Sequence, residues 1–101
     1  MSENKSTLSP SEVDGELVSL EGWRRDGVVL QRDFVLVNFN DITSFLQHVV
    51  GTIATQNHHP DFSLDTGTRT VAVAVTTHSE GAITRSDVAF AQALNAWTPE
   101  G

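Results

Sequence analysis

Between Ile42 and Ile53 apolar residues return at steps of three and four: Ile42, Phe45, Leu46, Val49, Val50 and Ile53. Such spacing lines them along one side of a helix, and a stripe this long needs a second layer to cover it. Asn40 stands just ahead as a candidate N-cap. Gly51 inside the stripe costs up to about 1 kcal/mol relative to alanine, which the apolar face offsets. The helix must stop before Pro60, because the residue preceding a proline is driven out of the α region.

The covering layer is legible further on. From Arg69 to His78 the residues alternate, with Val71, Val73 and Val75 on one side and Ala72, Ala74, Thr76 and His78 on the other. This predicts a long strand whose valine face is buried, at roughly 1.5 to 3 kcal/mol for each fully covered valine before chain entropy is subtracted. It also predicts that His78 ends the strand on the face of small residues. Asp61 to Leu64 reads as a short strand, joined to the long one by a turn at Asp65-Thr66-Gly67.

A second hairpin precedes the long helix. Trp23 leads into Arg25-Asp26-Gly27, whose Asp-Gly pair predicts the turn, and the chain returns over Val28 to Asn38. In the return strand Leu30, Arg32, Phe34 and Leu36 share one parity and Val29, Gln31, Asp33, Val35 and Val37 the other. Neither set is cleanly polar, so the parity leaves the buried face open. Trp23 and Phe62 are expected in the core.

Helices are expected at both ends. Ser9-Pro10-Ser11-Glu12 supplies an N-cap hydroxyl, a proline at N1 and a carboxylate at N3, predicting a short helix to about Val18 despite Gly15. Thr84 and Asp87 form a second capping box, with Ile83 placed to staple against Val88. Phe90, Ala91, Leu94 and Trp97 are the apolar stripe of that last helix, which Pro99 ends. Residues 1–7 are polar and read as a disordered tail, leaving 8–98 as one domain. The order is α-β-β-α-β-β-α, an α+β two-layer sandwich.

Charge and composition exclude several functions. A net charge of -7 repels a phosphate backbone, which argues against nucleic-acid binding. No cysteine is present, so disulfides and thiolate nucleophiles are excluded. Met1-Ser2-Glu3-Asn4-Lys5 leads into no apolar segment, and no run of about 18 apolar residues exists, so neither an export signal nor a membrane span is expected. The expected location is the cytoplasm. A chain this short leaves much of its surface uncovered, and self-association is expected.

Reactive side chains are few. Of four histidines, two are adjacent in Gln56-Asn57-His58-His59-Pro60-Asp61. Imidazole, with an ordinary pKa of roughly 6.5, holds either protonation state near neutrality, so a cluster can supply an acid and a base together. The plainer alternative is a polar loop in which one ring caps the preceding helix. Neighbouring side chains in an extended segment point opposite ways, which argues against one shared metal ion. His48 is expected on the solvent flank of its helix. Asp87 is already accounted for by its capping box.

Taken together, Gly22-Trp23, Arg32-Asp33-Phe34, Phe39 and Phe45, Asn57-His58-His59-Pro60-Asp61, Thr77-His78 and Ile83-Thr84-Arg85-Ser86-Asp87 resemble the pterin-4a-carbinolamine dehydratase family. The resemblance runs from about Leu20 to Trp97. It implies a four-stranded antiparallel sheet with helices on one face, associated into homodimers or homotetramers. It also implies a lyase that removes water from 4a-hydroxytetrahydropterin, giving the quinonoid dihydropterin in recycling of the pterin cofactor, with no metal or organic cofactor of its own.

By that resemblance His58, His59 and His78 are the active-site histidines, and Asp87 is the acidic residue near the third of them. The chemistry asks for a proton delivered to the 4a-hydroxyl and a base for the N5 proton. His58 and His78 are expected to share those tasks, with His59 in binding and proton support. Asp87 is expected to hold a ring's tautomer or favour its charged form. Asn57 and Thr76 are expected beside the substrate, where Ala72, Ala74 and Thr76 leave room for a flat bicyclic ring. Ala54 stands where the family usually carries a charged residue, and the segment from Leu64 to Arg69 is longer and lacks an aromatic. Some relatives serve instead as Rubisco assembly factors or dimerisation partners of transcription factors, so a non-catalytic interaction protein is the alternative.

Overall fold

The protein is described by a computed structural model over residues 6–99. Three helices, α1 (Pro10–Leu17), α2 (Phe39–Gln56) and α3 (Arg85–Asn95), accompany four strands, β1 (Arg24–Asp26), β2 (Val29–Val35), β3 (Asp61–Asp65) and β4 (Thr70–Val75). The strands form one antiparallel sheet in the order β1-β2-β4-β3. The α+β sandwich and the element order agree with the sequence reading.

The register settles the face that parity left open. Leu30 pairs with Val75, Arg32 with Val73 and Phe34 with Val71, so the Leu30-Arg32-Phe34 row lies on the valine side. Leu30, Phe34, Val71, Val73 and Val75 are all buried against Ile42, Phe45, Val49, Phe90 and Leu94 of the helices. Helices therefore cover one face only. Arg32 is the charged exception in the buried row, and its guanidinium is used at the margin. It donates to the Glu21 carbonyl (2.7 Å) and to Asn95 Oδ1 (2.8 Å), and it lies 4.2 Å from the centre of the Phe34 ring. Trp23 is buried as expected, and its Nε1–H reaches the same Asn95 oxygen (2.8 Å).

Both capping boxes form. Glu12 accepts from the Ser9 N–H (2.9 Å), a bond to its charged form that lowers its pKa below the ordinary carboxylate range. This small, solvent-screened stabilisation holds above that range and fades as pH falls through the lowered value. The α2 cap lies two residues earlier than expected: Asn38, not Asn40, accepts from the Asp41 N–H (2.8 Å). The first hairpin also differs. Asp26 pairs with Val29, so the two-residue loop is Gly27-Val28 rather than Asp26-Gly27. Gly27 has φ 60° and Val28 does not go positive, which places the glycine where a type II′ turn requires it.

Other expectations are corrected. The long strand stops at Val75, and His78 opens a single 3₁₀ turn, His78–Glu80, instead of ending a strand. Phe62, expected in the core, is 43% exposed, because β3 is an edge strand whose residues are all exposed. His48 is half-buried, and its Nε2–H donates to the Ala93 carbonyl (2.8 Å), tying α2 to α3. Of the tail expected over 1–7, residues 1–5 lie outside the described residues. Ser6 and Thr7 are held against the start of α3, through the Arg85 N–H to the Ser6 carbonyl (3.0 Å) and a bridge between Thr7 and Thr84.

Candidate active site

The site is built where three chain ends converge. At the end of α2, Asn57 takes a left-handed conformation (φ 52°, ψ 43°), and its N–H still reaches the Ile53 carbonyl (3.0 Å). Asparagine tolerates that region better than most residues. The next residue, His58, enters the body of the molecule and is 4% exposed, its ring edge-on to Phe90 at 6.0 Å. His59 remains exposed. From the other side, β4 runs on through Thr76 and Thr77 to His78, which is also exposed on its 3₁₀ turn.

A cavity of about 260 Å³ joins these segments, lined by Asn57, His58, His59, Thr76, Thr77, His78 and Ser79. The structure thus brings together all three histidines singled out by sequence, with Asn57 and Thr76. Ala72 and Ala74 are not in this wall. They floor a separate groove of about 280 Å³ on the uncovered face of the sheet, with Arg24, Gln31, Asp33 and Asp61, so the expected room beside the imidazoles comes from Thr76 alone among the three. The arithmetic of alternation was right for β4 but the cavity begins beyond its end.

Asp87 stands behind the wall. It is fully buried, and Oδ1 accepts from His58 Nε2 at 2.5 Å. The carboxylate therefore serves His58, not His78 as expected, because the first turn of α3 packs under the end of α2. Its other oxygen, Oδ2, accepts from the Thr84 N–H (2.8 Å) and the Thr77 hydroxyl (2.9 Å). One side chain is both helix cap and imidazole partner. A charge so deeply buried is tolerable only with such partners.

Thr77 and Thr84 were not among the expected site residues. Both are buried, with their hydroxyls 2.8 Å apart. A signal did exist for Thr77: it continues the parity of Val71, Val73 and Val75, and a hydroxyl in a core row needs a buried partner. Ala54 lies exposed in the last turn of α2 and contributes no polar group. Among the described residues, no group of three or more His, Cys, Asp or Glu side chains is disposed to hold a metal ion. None of the helices is long and apolar enough to cross a membrane, again among those residues.

Comparison with known proteins agrees with this fold. The sequence model of the family described as pterin 4 alpha carbinolamine dehydratase matches residues 6–97. A protein of Mycobacterium avium is 36% identical over 90 residues, covering 89% of this chain and 94% of that one. One from Thermosynechococcus vestitus is 32% identical over 88 residues, covering 87% and 90%. Both carry the provisional name pterin-4-alpha-carbinolamine dehydratase. A crystal structure described as a transcriptional coactivator/pterin dehydratase from Brucella melitensis superposes with a TM-score of 0.83 at 27% identity, covering 90% of this chain and 97% of that one. With the family match spanning nearly the whole chain and the fold in agreement, the chain belongs to the pterin 4 alpha carbinolamine dehydratase family.

Proposed function

We propose that the protein is a hydro-lyase acting on 4a-hydroxytetrahydropterin by histidine acid/base catalysis. The observation that carries this reading is one cavity walled by His58, His59 and His78, with His58 backed by a buried carboxylate. In the reaction the C4a–O bond breaks as a proton reaches the departing hydroxyl, and the N5 proton is taken by a base. Water and the quinonoid dihydropterin result, with no net proton consumed. His58 and His78 carry the two transfers and His59 supports binding. Asp87 holds the His58 ring through Nε2, and Asn57 and Thr76 contact the substrate. No metal or organic cofactor takes part.

The test is a rapid absorbance assay with 4a-hydroxytetrahydropterin generated in place by a hydroxylase. Acceleration over buffer is expected, with His58→Ala and His78→Ala each slower by roughly 10²- to 10⁴-fold, the usual worth of a positioned acid or base. No acceleration in the unsubstituted protein, or full activity in both variants, rejects the reading.

The same proposal places the enzyme in the cytoplasm as a homodimer or homotetramer. Supporting self-association, Phe39 (61%), Val50 (60%) and Phe62 (43%) are exposed apolar side chains, and the outer edge of β3 pairs with no other strand among the described residues. Light scattering is expected to give two or four chains per particle; a monomer at micromolar concentration removes this part. A second reading, a non-catalytic interaction protein, draws on the uncharged Ala54 in the last turn of α2. It predicts that the histidine variants keep whatever partner the protein binds while no variant, nor the unsubstituted chain, dehydrates pterin.

A further inference from the structure

We propose that Thr77 is the positioning residue that holds His58 and His78 in fixed relation, an inference that rests on the dehydratase reading above. The side chain of Thr77 governs the first imidazole and its backbone the second. Its hydroxyl has one hydrogen, and the 2.9 Å bond to Asp87 Oδ2 uses it. The 2.8 Å contact with the Thr84 hydroxyl then runs the other way, Thr84 donating to Thr77 rather than to Asp87 Oδ2, which lies farther off at 3.4 Å. Oδ2 is thereby pinned by the Thr77 hydroxyl and the Thr84 N–H together. With one oxygen fixed by two donors, the carboxylate cannot rotate, and Oδ1 is held toward His58 Nε2.

The backbone of Thr77 does the corresponding work for His78. Its N–H donates to the Ala82 carbonyl (3.2 Å), and its own carbonyl accepts from the Glu80 N–H (3.1 Å). These two bonds bracket the 3₁₀ turn that presents His78 to the cavity. Because one residue makes both sets of bonds, a shift of its backbone is felt at two imidazoles at once. Acid and base on one substrate need this kind of fixed separation, since misplacement by an ångström is enough to lose about a hundredfold in rate.

The decisive comparison is Thr77→Val, which keeps the shape and loses the hydroxyl, against Thr77→Ser, which keeps the hydroxyl. Thr77→Val is expected to lower kcat about ten- to a hundredfold, the range for losing a bond to a charged group, with KM nearly unchanged. Thr77→Ser is expected to recover most of it. Nitrogen-15 NMR of the imidazoles supplies a readout independent of turnover. In the unsubstituted protein and Thr77→Ser the His58 proton is expected to reside on Nε2, and in Thr77→Val the two ring nitrogens are expected to approach each other in shift as the tautomers mix.

Equal kcat in the valine and serine variants, or a His58 spectrum unchanged by valine, overturns the proposal. Should Thr77→Val fail to fold, Thr77→Cys, whose thiol is a weak donor, is expected to give the same spectral change at smaller amplitude, and its absence there overturns the proposal equally. If the unsubstituted chain shows no dehydration, the functional reading fails on that result alone, while the spectra still decide whether Thr77 holds His58.

Discussion

Asp87→Ala is expected to destabilise the fold by about 3–5 kcal/mol, since it leaves three buried donors without their acceptor at roughly 1–3 kcal/mol each. The carboxylate is fully buried and has three short bonds, to His58, Thr77 and Thr84. Alanine leaves the Thr84 N–H without its cap and the Thr77 hydroxyl without its acceptor, both where water does not reach. For a domain of this size the loss corresponds to a fall in Tm on the order of 20 °C. Calorimetry and urea titration give the two numbers directly. A loss under about 1 kcal/mol would mean that α3 and the end of α2 are joined by apolar packing alone, with Asp87 a passenger.

Phe45→Ala is expected to cost a similar 3–5 kcal/mol for a different reason. Phe45 is fully buried and central to a run of rings, 4.5 Å from Phe34 on the sheet and 5.3 Å from Trp97 beyond α3. Phe34 in turn meets Trp23 edge-on at 6.0 Å. Removing the middle ring opens a cavity between sheet and helices that the rings at the two ends of the run, Trp23 and Trp97, cannot move in to fill, since each is tethered by an indole hydrogen bond, to Asn95 and Ser44. Out of a total of roughly 5–15 kcal/mol this is a large share. Equilibrium unfolding of the variant checks it, and Phe45→Leu, which refills most of the volume, is expected to recover the greater part. A small loss in both would show that the helix layer collapses onto the sheet without the aromatic run.

What could be seen in the chain beforehand was whatever neighbours decide. The capping boxes at Ser9 and Thr84 and the valine alternation of β4 depend on residues a few positions apart, and they appear as expected. The misplacements are equally local and come from near-equivalent candidates: Asn38 and Asn40 are both competent caps, and Asp26-Gly27 and Gly27-Val28 both fit a two-residue loop. The three histidines were singled out because the family resemblance carries them, and they line one cavity. Partnership was not legible. That Asp87 bonds His58, 29 positions away, rather than His78 depends on how α3 packs beneath α2, and no periodicity encodes that. The same holds for His48, which meets a carbonyl of α3, and for Thr77, whose hydroxyl has a partner only once Thr84 and Asp87 are folded beside it.

Asn57 has no titratable proton and takes no charge, yet the left-handed turn it makes sets the phase of the two histidines after it. In an extended segment successive side chains alternate, so one backbone setting decides which of two identical neighbours faces inward. Here it sends His58 to 4% exposure beside a carboxylate and leaves His59 in solvent. Two residues of the same chemical type thus acquire different surroundings through their address alone. A β-branched residue at position 57 would resist the left-handed setting and put the pair out of step without altering either ring. The difference in burial between the twin histidines is written in a dihedral angle one residue upstream of them.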